Sequence, residues 1–84
     1  MRDIKARLLT ESGRESKQMI PPRTTAIVPI QETVGVDVYS HPDLIRKCIF
    51  AINYAYGNTT QLVLYNGGLE PQWIQHGDNI AQVR

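Results

Sequence analysis

Prolines and glycine-containing turns divide this chain into short segments, and that division constrains the fold more than any other feature. Pro21 and Pro22 exclude a helix where they stand, Pro29 ends the next segment, and Asn66-Gly67-Gly68 is typical of a tight turn. The segments between these breakers are rich in β-branched residues or alternate between apolar and polar side chains, as strands do. The sequence therefore predicts an all-β protein of about seven short strands.

The predicted strands follow from local composition and period. They cover residues 4–10, 24–28, 34–39, 48–52, 61–65, 73–74 and 80–83. The polar stretch 11–17 is predicted to be a loop, and His76-Gly77-Asp78-Asn79 a turn. One helical turn is expected after Ser40-His41-Pro42, with Pro42 at the first helical position. Asn66-Gly67-Gly68 predicts a tight hairpin that leads into a return strand beginning at Trp73.

The length of 84 residues predicts a single domain over residues 1–84, with a polar N-terminal strand or arm over 1–19 and a core over 20–84. A chain of this size buries only about 60–65% of the surface that its unfolded form exposes. Cys48 is the one cysteine, so no disulfide within the chain can reinforce the small core. Association with further copies or with a larger body is the expected source of added stability.

Charge and hydropathy exclude several classes of function. The net charge of +1 gives no general attraction to nucleic acid or to acidic membranes. No run approaches the roughly 18 apolar residues of a membrane span, and no secretion signal is recognisable, so an intracellular location is expected. Cys48, His41 and His76 lack the paired spacing of a zinc site. No metal and no cofactor are predicted.

A family resemblance lies in the last part of the chain. Residues 66–82 read N-G-G-L-E-P-Q-W-I-Q-H-G-D-N-I-A-Q. This resembles the N-x-G-x-E-P-x-x-I-x-x-G-D-R-I-A-Q segment of the deoxyuridine triphosphatase (dUTPase) family. The resemblance implies a small β-clip or jelly-roll barrel of short, mostly antiparallel strands, assembled as a homotrimer in which this segment packs between copies. The trimer-interface residues that it implies are Trp73, Ile74, Ile80, Ala81, Gln82 and Val83. Trp73 equally fits an ordinary core position.

The segment before it resembles the nucleotide-binding hairpin of the same family. Residues 51–58 read A-I-N-Y-A-Y-G-N, similar to V-I-D-x-D-Y-R-G. The resemblance places Tyr56 where the family tyrosine stacks on the sugar, and Asn53 where the family aspartate acts as general base. An amide cannot take up a proton at neutral pH, so that role is empty. Asn79 replaces the arginine of the family motif. Asn53, Tyr56 and Asn79 are thus expected to form a degenerate nucleotide pocket without catalytic residues.

Upstream, the resemblance becomes less complete. Residues 20–29 are similar to the I-P-P-x-x-x-x-x-V-P strand of the family, so the likeness covers about residues 20–84. The phosphate-binding P-R-S-S segment is missing, and the acid Asp43 in its nearest counterpart would repel phosphate. Residues 35–40 read G-V-D-V-Y-S, like the metal-binding G-x-D-L-x-S motif, but they follow the I-P-P strand instead of preceding it. Asp37 is therefore interpreted as an exposed strand residue.

The resulting expectation is a non-catalytic structural module rather than an enzyme. The resemblance to shortened, non-catalytic dUTPase-like domains implies a homotrimer that belongs to a virus or a mobile element. It would serve as a capsid decoration or as a component of a retroelement polyprotein. Its expected location is the cytoplasm or the virion. Its expected partners are copies of itself and a larger assembly, with no membrane and no nucleic acid.

Two alternatives remain at the level of sequence. The first is an active dUTP nucleotidohydrolase, which would need Asp37 to hold magnesium, Tyr56 to stack on the sugar, and Asp43 or Asp78 to act as base. The second is a small nucleic-acid-binding β-barrel, in which aromatic side chains would stack on bases. The aromatic residues available for that are Tyr39, Tyr54, Tyr56, Tyr65 and Phe50.

Overall fold

A computed structural model describes residues 1–84. It contains eight strands and one helical turn: β1 (Arg2–Lys5), β2 (Lys17–Ile20), β3 (Thr24–Pro29), β4 (Val38–Ser40), α1 (Pro42–Ile45), β5 (Ile49–Ala55), β6 (Asn58–Asn66), β7 (Gln72–Gln75) and β8 (Asn79–Val83). The predicted all-β class is confirmed. The single helical turn also lies where the sequence places it, because the His41 ring accepts a hydrogen bond from the Asp43 amide (3.0 Å) and Pro42 occupies the first turn.

The strands form three small sheets in the orders β1-β8-β4, β2-β7 and β3-β6-β5, and every pairing is antiparallel. The segment after β1 joins two of these sheets. The Arg7 amide donates to the Pro29 carbonyl (2.8 Å), and the Ala6 amide donates to the Asp78 carbonyl (2.9 Å). The N-terminal segment therefore links the end of β3 to the start of β8.

One connected core lies between the sheets. It consists of Ile4, Ala6, Leu8, Ile20, Val28, Ile30, Val34, Leu44, Ile49, Leu62, Leu64, Ile74, Ile80, Ala81 and Val83. Three of these residues, Ile4, Ala6 and Leu8, alternate along the N-terminal segment with the period of a strand. The expected polar arm over residues 1–19 is therefore corrected, since its first half is part of the core.

The predicted hairpin at Asn66-Gly67-Gly68 is wrong. β7 pairs with β2 and not with β6, because β6 already has β3 on one side and β5 on the other. Neither Gly67 nor Gly68 takes a positive φ. The turn is built instead by the buried side chain of Asn66, whose Nδ2 donates to the carbonyls of Ile20 (3.0 Å) and Glu70 (2.8 Å). Its Oδ1 accepts from the Gly68 amide (3.0 Å).

The predicted strand over residues 34–39 is mostly irregular. Only Val38–Ser40 pairs as β4, since no neighbouring strand lies beside the preceding residues. Val34 is buried, whereas Val36 is 45% exposed. The Val34 amide donates to the Thr59 carbonyl (3.4 Å), and the Tyr54 hydroxyl donates to the Val36 carbonyl (2.9 Å). Alternating valines alone therefore do not specify a strand where no partner strand lies beside them.

Candidate functional site

Four of the six predicted trimer-interface residues lie in the core of the single chain. Ile74, Ile80, Ala81 and Val83 are each 0% exposed. The reason for three of them is the position of β8, which runs between β1 and β4 and turns its apolar side chains toward the other sheets. A side chain with no accessible surface contributes no area to an interface. The assignment of these four residues to a contact between copies is therefore corrected.

The other two predicted interface residues keep accessible surface. Trp73 is 49% exposed, so the alternative of an ordinary core tryptophan is wrong as well. Its ring lies opposite Met19 in the β2-β7 pair, with the Lys17 ammonium 4.6 Å from its centroid. Gln82 is engaged within the chain, since its Nε2 donates to Oδ1 of Asp3 (3.1 Å). That hydrogen bond, helped by the nearby His41, holds the pKa of the Asp3 carboxyl below its usual value.

The residues of the predicted degenerate pocket are divided between two sheets. Asn53 and Tyr56 belong to the β5-β6 hairpin, whereas Asn79 begins β8 and lines a depression of about 270 Å³ beside α1, together with Asp43 and Lys47. None of the four surface depressions is lined by Asn53 or Tyr56. Oδ1 of Asn53 accepts the Tyr54 amide hydrogen (2.8 Å), so it is already occupied by backbone.

The tightest turn of the chain, between β5 and β6, holds an exposed aromatic residue. Tyr56 and Gly57 both have positive φ, 53° and 72°, as in a type I′ hairpin turn. A tyrosine pays a steric cost in that conformation, yet its side chain is 96% exposed and gains little from the chain around it. The sequence resemblance pointed to Tyr56, but the conformation that makes the residue unusual is visible only in the structure.

Replacing this tyrosine is expected to stabilise the single chain. Tyr56→Asn should raise the free energy of unfolding by about 0.5–1 kcal/mol, because asparagine tolerates the left-handed conformation that this turn requires. Urea denaturation followed by circular dichroism measures the change. Tyr39→Asn, at a partly buried position in β4, is the control and should destabilise. A Tyr56→Asn variant that unfolds more easily would contradict a strained turn.

The outward side of the β3-β6-β5 sheet carries a group of partly exposed apolar side chains. We call it the outer sheet face and define it by Ile27, Phe50, Ile52, Val63 and Tyr65. Tyr65 is paired with Phe50 of β5 and with the polar Thr25 of β3, and Val63 is paired with Ile27 of β3 and with the polar Asn53 of β5. Ile52 lies at a β-bulge in β5. Ile27, Phe50 and Ile52 are 38%, 40% and 54% exposed.

No strand of this sheet contains Asp, Glu, Lys or Arg. Residues 48–52 are predicted to form a buried strand, and the structure corrects this for Cys48, which is exposed and precedes β5, and for Phe50 and Ile52, which are exposed within it. A signal for the outer sheet face was present in the sequence. Residues 62–65 of β6, L-V-L-Y, are apolar on both sides of the strand, and such runs are typical of strands that are covered on both faces.

No group of three or more His, Cys, Asp and Glu side chains is arranged to hold a metal ion. Asp37 is exposed in the irregular segment before β4. The largest depression, about 470 Å³, is open and lined only by polar residues, including Lys17, Gln75 and His76. No helix has both the length and the apolar character that crossing a membrane requires.

Comparison with known proteins adds no relative, since no family model, no curated protein and no solved structure matches this chain.

Proposed function

We propose that this chain is a non-catalytic assembly module that associates with copies of itself through the outer sheet face. Following the dUTPase-like segments of its sequence, we propose a homotrimer that serves as a structural part of a viral or retroelement particle or polyprotein. The observation that carries the proposal is a β-sheet with apolar side chains on both sides, of which its own chain covers only one.

The pattern of burial in β6 supports this proposal. Leu62 and Leu64 point inward and are at most 1% exposed, whereas Val63 and Tyr65 alternate with them and point outward. A strand that faces water on one side normally alternates apolar with polar residues. Two apolar sides therefore favour a second covering layer. The core residues of the other strands pack on the inner side of this sheet and leave its outer side exposed.

The absence of charge on the sheet supports association between identical copies. The central part of a protein interface is depleted of charged residues and enriched in aromatic ones. Copies that meet through uncharged faces have no like charges to bring together. The same absence weighs against the nucleic-acid alternative, because aromatic residues that stack on bases need neighbouring cations for the phosphates. Phe50 and Tyr65 have none on their sheet.

The residues at the positions of the dUTPase family's nucleotide pocket support a non-catalytic role. The position that corresponds to the family's general base is an asparagine whose side-chain oxygen is bonded to its neighbour's amide. Asn53 is exposed, and Asn79 lies in another sheet. Nothing at these positions can take a proton from water at neutral pH.

Serine substitutions on the outer sheet face test the proposal. The double variant Phe50→Ser/Ile52→Ser should associate at least about thirtyfold more weakly than the unmodified chain, since a buried anchor in an interface contributes about 2 kcal/mol or more. Sedimentation velocity over a range of concentrations measures the dissociation constant.

Leu69→Ser is the matched control. Leu69 is 81% exposed but lies in the loop between β6 and β7, outside the outer sheet face. Its replacement should leave association unchanged, and circular dichroism should show that both variants keep the β fold. Equal association of the double variant and the control would refute the proposed surface.

A further inference from the structure

A buried histidine joins α1 to the β1-β8-β4 sheet. His41 is 7% exposed, and both nitrogens of its ring have partners. Nδ1 accepts a hydrogen bond from the Asp43 amide (3.0 Å), which caps α1. Nε2 lies 3.1 Å from Oδ1 of Asp3 in β1. Since an ionised carboxylate only accepts, this arrangement requires a neutral ring with its hydrogen on Nε2.

A second proton on this ring is incompatible with the cap. The protonated ring would carry a hydrogen on Nδ1, which would then face the hydrogen of the Asp43 amide, and two donors cannot bond to one another. A replacement acceptor is already close, because Oδ2 of Asp43 lies 3.7 Å from Nδ1. The bond to Asp3 does not conflict with protonation, since Nε2 is the donor in both forms.

The charged groups that contact the ring or its two carboxylate partners come from β1 and from the segment of α1, while Lys47 and Asp78 line the same depression as Asp43. β1 contributes Asp3, with Lys5 close enough to act on that carboxylate. α1 contributes Asp43, and Arg46 directly after it lies 3.7 Å from the other oxygen of that carboxylate. β8 contains no titratable residue and contributes the neutral amide of Gln82, which also bonds to Asp3. Two carboxylates, those of Asp3 and Asp43, therefore lie near the two ring nitrogens and can accept hydrogen bonds from them.

We propose that His41 is a proton-dependent latch on the N-terminal cap of α1. In the neutral form the ring holds the backbone of α1 and the carboxylate of β1 together. In the protonated form Nδ1 exchanges the backbone amide of Asp43 for its side chain, so the cap of α1 is released while the bond to β1 is kept. This device is independent of the proposed function.

Nuclear magnetic resonance of the ¹⁵N-labelled full chain, titrated from pH 8 to pH 5, tests the latch. The neutral ring should carry its proton on Nε2. As the ring takes up the second proton, the protection of the Asp43 amide against hydrogen exchange, relative to its intrinsic rate, should fall about fivefold. Both changes should share one midpoint. A neutral ring protonated on Nδ1, a ring that stays neutral down to pH 5, or an Asp43 amide that ignores the ring titration would each overturn the proposal.

Two variants separate the latch from a general effect of acid. His41→Asn keeps an acceptor at the cap position but cannot titrate in this range, so the protection of the Asp43 amide should become independent of pH between 8 and 5. Asp43→Asn retains the histidine and removes the carboxylate that takes over Nδ1, so the amide of residue 43 should lose less protection at pH 5 than in the unmodified chain. An equal loss of protection in Asp43→Asn would contradict the exchange of partners.

Discussion

Replacing Ile80 by alanine is expected to lower the free energy of unfolding by about 3 kcal/mol, because Ile80 is 0% exposed and packs among the other residues of the core. The removed side-chain atoms leave a cavity that the surrounding strands, paired on both sides of β8, cannot close easily. Urea denaturation measures this loss. The difference from the unmodified chain should be the same at every protein concentration, since the substitution leaves the association surface unchanged.

Trp73→Ala is the informative comparison, because the same sequence resemblance assigned both residues to one interface. Trp73 is half-exposed on the β2-β7 pair, and its replacement should cost much less than that of Ile80. If Ile80→Ala instead left the unfolding of the single chain unchanged and weakened the association between copies, the burial of β8 within its own chain would be wrong.

Replacing Asn66 by alanine is expected to cost about 3 kcal/mol or more. The side chain is 0% exposed and satisfies three backbone groups, two carbonyls and one amide. Each buried polar group that loses its partner costs about 1–3 kcal/mol, and partial entry of water offsets part of the sum. Thermal and urea denaturation measure the loss. Asn66→Asp should also be strongly destabilising, because it removes the Nδ2 donor and buries a charge.

Asn58→Ala is the matched control for Asn66→Ala. Asn58 bonds to the backbone and hydroxyl of Thr60 in a similar local pattern, but it is exposed at the β5-β6 turn. Its replacement should cost less than about 1 kcal/mol, since water can replace the lost bonds. A loss at Asn58 equal to that at Asn66 would mean that the turn after β6 does not depend on its buried amide.

Local features of the fold could be predicted from the sequence. β3 stands between prolines and is rich in β-branched residues, so its bounds follow from the chain alone. The helical turn at Pro42 and the turn at His76-Gly77-Asp78-Asn79 are equally local, and the positive φ of Gly77 agrees with the latter. In each case a few neighbouring residues determine the backbone conformation.

Features that depend on pairing between distant segments could not be predicted in the same way. Asn66-Gly67-Gly68 looks like a hairpin turn, but whether a turn closes a hairpin depends on a free edge of the preceding strand, and β6 has none. For the same reason the apolar residues of β8 fit an interface or a core equally well in sequence. Only its placement between β1 and β4 decides for the core.

The outer sheet face could be predicted from the sequence only in part. The run at residues 62–65 indicates that both sides of β6 are covered, but it does not say by what. The structure shows which side faces the chain's own core, because Leu62 and Leu64 lie inside and Val63 and Tyr65 lie outside. The sequence does not predict the exposure of Phe50 and Ile52, because a short apolar segment fits a wholly buried strand, although the side chains of a strand alternate between its two faces.

The mass of the unmodified particle in solution tests self-association most directly. Native mass spectrometry, supported by sedimentation equilibrium over a range of concentrations, should find a particle of three chains, each of 9.5 kDa, that dissociates on dilution. A particle of 9.5 kDa at every concentration would contradict the account, because the apolar outer sheet face would then remain in contact with water.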